Sequence, residues 1–149
     1  MEAFMEKKAK VFSFDQQSLL TPADAVMAVA VLAAGADGKP DERELSGLER
    51  ALFASPVFAK VKNPVKYRCA IAAAIACKGR EATLIEATGL LSPGLRETAY
   101  AWATYVIAAD RKTVSPEHKF LSLLRRRFGI HGELAGKINA VVSMLHRAK

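Results

Sequence analysis

Apolar positions along this chain recur at helical spacing, and no strand-like alternation competes with them. From Ala25 to Ala36 nearly every residue is apolar. A stretch that is hydrophobic on almost all sides predicts a helix buried at the centre of a core. Thr21-Pro22-Ala23-Asp24 reads as its start. Thr can cap, Pro suits the first helical position, and Asp three residues after the cap can reach back to its amide. Gly38 ends this helix, and Asp41 opens the next, with Glu44 as its capping-box partner. The second helix carries Leu45, Leu48, Leu52 and Phe53 on one stripe and Glu42, Arg43, Glu49 and Arg50 away from it. It should stop near Ser55-Pro56.

The same grammar continues. Asn63-Pro64 starts an Ala-rich helix to about Lys78, whose small residues suit close helix–helix approach. Gly79 ends it, and Glu81 to Leu91 reads as a further short helix. Ser92-Pro93 begins a helix to Ala109, in which Trp102 and Tyr105 are expected in the core. Ser115-Pro116-Glu117 opens its partner, with Phe120, Leu121, Leu123, Leu124 and Phe128 apolar and Gly129 as the C-terminal glycine. The last helix spans about Gly132 to Arg147, with Leu134, Ile138, Val141, Val142 and Leu145 facing inward. Ahead of all this, Gln16 to Leu20 reads as a helical turn after a charged start. The pattern predicts an all-α, single-domain bundle of about seven helices over residues 1–149.

A repeat underlies the pattern. Asp37 and Asp110, Glu44 and Glu117, and Asp24 and Glu97 are each 73 residues apart. Ala28/Ala101, Ala30/Ala103 and Ala36/Ala109 are identical at the same offset. Two related helical hairpins, about 21–58 and 92–130, are the simplest account.

Charge is uneven. Residues 1–58 carry a net −3 and residues 59–149 a net +10. The longest apolar run is 12 residues, short of the ~20 that a membrane span needs. The N-terminus lacks a basic start leading into an apolar run, so no secretory signal is read and a cytoplasmic setting is expected. Cys69 and Cys77 are eight residues apart in one helix. That separates them by roughly 12 Å along the axis, beyond the ~7 Å reach of a disulfide. Free thiols, buried or half-buried, are expected.

The Ala-Asp-Gly turn after an Ala-rich helix, followed by Glu seven residues on, resembles the tellurite-resistance TerB-like family. The segments that carry the likeness are Leu32 to Gly38 with Glu44, and Val106 to Asp110 with Ser115 to Leu121. The resemblance covers roughly residues 15–147. It implies an all-helical, internally duplicated, non-enzymatic protein of tellurite and chemical-stress response, whose acidic positions bind a metal such as calcium. Those positions carry over to Asp24, Asp37, Glu44, Glu97, Asp110 and Glu117. Arg111 stands where the family's second turn has Gly.

The residues themselves leave two readings open. A hard divalent cation wants six to eight oxygens, several of them anionic. Asp37, Asp41 and Glu44 with backbone carbonyls could supply part of such a cage. If the start of one central helix lies beside the turn of the other half, Glu97 would join Asp37 and Glu44, and Asp24 would join Asp110 and Glu117. Alternatively, Asp and Glu in a first helical turn serve capping and the helix dipole, at about 0.3–1 kcal/mol each. His118, His131 and His146 have no metal spacing and are expected at the surface. No nucleophile–base set can be assembled, so no enzyme is expected. Arg125-Arg126-Arg127 complements a helix C-terminus. The expectation is a non-catalytic stress-response module, in the cytoplasm or peripheral at the inner membrane face, whose acidic pole takes a cation or a protein partner. The alternative is a basic adaptor that binds nucleic acid or anionic membrane through residues 60–149.

Overall fold

The structure, a computed structural model, describes residue 19 and residues 21–36, 42–109 and 115–147, with the side chains of 42–44, 47 and 115 left aside. Among the described residues it is all-helical. The helices are α1 (Pro22–Ala34), α2 (Glu42–Leu52), α3 (Pro64–Lys78), α4 (Arg80–Leu90), α5 (Pro93–Ala109), α6 (Ser115–Phe128) and α7 (Gly132–Leu145), with a 3₁₀ turn at Pro56–Phe58. The expected turn at Gln16 to Leu20 lies outside the described residues, apart from Leu19, which is buried.

Local sequence sets the helix ends. Thr21 and Asp24 form the capping box: the Asp24 amide donates to Thr21 Oγ1 (3.1 Å) and the Thr21 amide to Asp24 Oδ2 (3.2 Å). Asn63 accepts from the Lys66 amide (3.1 Å) at the start of α3. Gly129, at φ 67°, closes α6. The Ile130 amide bonds the Arg125 carbonyl (3.0 Å) and the Gly129 amide that of Arg126 (3.3 Å), a Schellman end that needs the left-handed glycine. Three helices end earlier than expected. α1 stops at Ala34 with Gly35 as its cap, α2 stops at Leu52, and α7 stops at Leu145.

α1 sits at the centre. Ala25 to Ala30, Leu32 and Ala33 are all buried, because α2, α3, α4, α5 and α6 each pack against it. Its main partner is α5, which buries Ala99, Tyr100, Ala103, Thr104, Val106 and Ile107. Small residues at the contact let two backbones approach closely. The larger Val, Leu and Met side chains of α1 contribute about 1.5–3 kcal/mol each when buried.

Three long-range bonds fix the direction of the chain. The Tyr67 hydroxyl donates to Asp24 Oδ1 (2.6 Å), so α1 and α3 start side by side. Arg80 Nη2 donates to the Leu32 carbonyl (2.8 Å), so α4 starts where α1 ends. The Leu19 amide donates to the Glu86 carboxylate, so α4 runs back toward the start of α1. Arg96 of α5 donates to the Thr88 carbonyl near the end of α4 (3.0 Å), and Phe120 of the following α6 lies against Arg80 at the end of α1, so α5 starts beside the start of α1 and runs in the same direction. The central pair is therefore parallel.

Several expected faces are corrected. Glu49, expected away from the apolar stripe, is 8% exposed and ion-paired with Arg68 of α3, itself 9% exposed. The Ala-rich side of α3 is largely outward: Cys69, Ala70, Ala76 and Cys77 are exposed, while Arg68, Ile71 and Ala74 face the core. The two thiols are thus free as expected, but not buried. On α7, Val141 and Leu145 are exposed rather than inward, at 53% and 65%, and Met144 joins them. α7 packs chiefly on α5, so only the face with Ala135 and Val142 is covered. Trp102 and Tyr105 are half-buried, not core. They stack edge-on at 5.5 Å and line an apolar groove of about 370 Å³ with Ile138, Val141 and Leu145.

Candidate functional site

The parallel central pair decides where the acidic positions fall. The described ends of α1 and α5, which precede Asp37 and Asp110 in sequence, lie at the same end of the pair. Arg80 marks that end. Its guanidinium caps α1 through the Leu32 carbonyl and, at 3.5 Å, the Gly35 carbonyl. It also lies over the Phe120 ring of α6, 5.7 Å from the centroid. Phe120 is one turn beyond Glu117, so the first turn of α6 stands beside the end of α1. Glu117 is buried there, at 4% exposed. Asp37, Asp110 and the Glu44 side chain lie outside the described residues.

Asp24 and Glu97 belong to the opposite end, where α1 and α5 begin. Along α1, Asp24 is eight residues from Leu32, roughly 12 Å. Its carboxylate is engaged by the Thr21 amide and the Tyr67 hydroxyl. Glu97 is exposed on α5. The crosswise grouping of Glu97 with Asp37 and Glu44, and of Asp24 with Asp110 and Glu117, would require antiparallel central helices. For Asp24 the capping reading is the one that the geometry shows. Among the described residues, no three His, Cys, Asp or Glu side chains form a group that could hold a metal ion.

Electrostatics at both ends follow from burial. Burial, then the hydrogen bond and the charge of Asp24, push the Tyr67 phenol far above its usual range. It therefore stays a donor to Asp24. Burial lowers the pKa of Arg80. Arg80 was not singled out in the sequence, because its partners are carbonyls 45 and 48 residues away. It occupies two carbonyls at the end of α1 and sets a cation there.

His118 and His131 are exposed, as expected. His146 is half-buried, with Nδ1 at 2.9 Å from the Val142 carbonyl and its ring 4.4 Å from that of Tyr105. Arg127 pairs with Glu81. No helix among the described residues is long and apolar enough to cross a membrane. Comparison of the chain with family models, with curated proteins and with solved structures returns no match.

Proposed function

We propose that this is a non-catalytic, TerB-like stress-response module, cytoplasmic and internally duplicated, whose acidic pole binds a divalent cation such as calcium. The observation that supports it is that the first turn of α6, with the buried Glu117, stands beside the end of α1, the helix that precedes the matching Asp-to-Glu spacing in sequence. Asp37, Glu44, Asp110 and Glu117 are the proposed ligating set, and Asp24 and Glu97 have structural and surface roles instead. A carboxylate-rich pole with oxygen donors suits a hard cation better than a soft metal. It equally offers a basic protein segment a complementary surface, which cation binding would neutralise. Calorimetric titration with calcium tests the reading. Saturable binding is expected in the wild type and at least a tenfold loss in the Asp37→Asn, Glu44→Gln double variant, since two anionic ligands are removed. Absent or equal binding in both proteins would sink it.

A second reading, peripheral attachment to an anionic membrane, draws support from α7. Val141, Met144 and Leu145 are exposed, with Trp102 in the adjoining groove and Lys137 on its edge. An apolar face with basic flanks suits a headgroup boundary. Co-sedimentation with phosphatidylserine vesicles, lost in Val141→Ser, Leu145→Ser and absent with phosphatidylcholine, would favour it.

A further inference from the structure

A separate groove of about 600 Å³ opens between α5, α6 and α7. Its volume lies within the roughly 300–1,000 Å³ usual for small-molecule sites. Ile107, Leu121 and Val142 give it apolar walls, while His118, Arg125 and Asn139 bring polar groups to it. The described residues that line it include no carboxylate and no second Arg or Lys. Arg125 is half-buried and, among the described residues, has no ion-pair partner, unlike Arg68 and Arg127. Its guanidinium reaches across to α7, where a Cβ on Gly132 would stand 3.4 Å from Nη1. Its charge is also felt inside the groove. Burial raises the Tyr100 phenol, and the Thr104 hydrogen bond and the Arg125 charge oppose that rise.

We propose that this groove binds an organic monocarboxylate with an apolar body, its carboxylate on Arg125 and its body against Ile107, Leu121 and Val142. One fixed cation without a second Lys or Arg matches a single negative charge rather than a phosphate dianion. The planar guanidinium fork matches a carboxylate in two parallel hydrogen bonds. The Asn139 amide is a further donor for the carboxylate, as is His118 in either ring tautomer. Gly132 and Gly136 keep the α7 wall low where the ligand enters. Its lining reaches Ala108 and His118, close in sequence to Asp110 and Glu117, but Glu117 is not part of it.

Decanoate is the probe, with decanol as its uncharged counterpart, each titrated below its aggregation limit and followed by calorimetry. The wild type should bind one decanoate, and decanol about tenfold more weakly or less, as expected for loss of a charge-assisted contact. Arg125→Gln should weaken decanoate about tenfold or more and leave decanol unchanged. Gly136→Leu provides a second variant that should fold. A Cβ there meets nothing within 4 Å, and the larger side chain fills the groove in a helix that tolerates Leu better than Gly. It should abolish binding of both ligands. No saturable decanoate binding to the wild type would overturn the proposal. So would undiminished binding to Gly136→Leu, which places the ligand elsewhere. Loss in Gly136→Leu with none in Arg125→Gln overturns the carboxylate assignment.

Discussion

α1 and α7 are both rich in apolar residues, yet they end in opposite situations. α1 buries nearly every side chain because five other helices surround it. α7 buries only Ala135 and Val142 and leaves Val141, Met144 and Leu145 in the open. α1 is apolar on nearly all sides, whereas α7 carries Glu133, Lys137, Asn139 and Ser143 and has fewer helices packed against it. The α1 side is also tied laterally, by the Glu49–Arg68 pair between α2 and α3 and by the Tyr67–Asp24 bond. α7 is joined chiefly to α5. One side of the molecule is a fixed frame, and the other carries grooves.

That contrast can be broken most sharply at Arg68. Arg68→Met leaves Glu49 charged and buried without its partner, which typically costs about 3–5 kcal/mol. Replacing Glu49 with Leu in the same chain should recover most of that loss, measured by urea unfolding. Leu32→Ala, at the packed end of α1, should cost about 2–5 kcal/mol, since it removes a side chain that is 1% exposed. Thr21→Ala removes half of the capping box and should cost about 1 kcal/mol. At the small end, Leu145→Ser on α7 should change stability by no more than about 0.5 kcal/mol. A loss comparable to that of Leu32→Ala would show that α7 has a covering neighbour.

Tyr67 adds a pH dependence to the frame. Its folded pKa is raised, chiefly by burial. The contribution of the neutral phenol is therefore complete below the unfolded pKa of about 10 and is lost as pH rises beyond it. Between about pH 9 and 11 the wild-type Tm should fall more steeply than that of Tyr67→Phe. Parallel slopes would contradict a buried, hydrogen-bonded phenol.

Much of the frame was legible because it is local. Thr21-Pro22, Asn63-Pro64 and Ser92-Pro93 announce helix starts within four residues, and Gly79 and Gly129 announce ends. The all-round apolar pattern of α1 likewise marks it as central. What was not legible depends on partners distant in sequence. Glu49 looks like a surface residue until Arg68, nineteen positions on, is placed beside it. Arg80 looks like an ordinary helix-start cation until α4 brings it to the last carbonyls of α1. The outward faces of α3 and α7 read as core because periodicity identifies an apolar face but not its cover. The acidic positions were visible as a repeat, but the shared direction of α1 and α5 was not, and that direction separates Asp24 and Glu97 from Glu117.

The direction of the central pair is therefore the claim on which the acidic pole stands, and a distance measurement reaches it directly. In a Cys69→Ser, Cys77→Ser background, spin labels are placed at position 119 of α6 and at either position 36, beyond the end of α1, or position 66, at the start of α3. Pulsed dipolar spectroscopy should give the 36–119 pair as the shorter by about 10 Å, the axial rise between the two ends of α1 being roughly 20 Å. A 66–119 distance equal to or shorter than the 36–119 distance would place Glu117 at the start of α1 and contradict a single acidic pole.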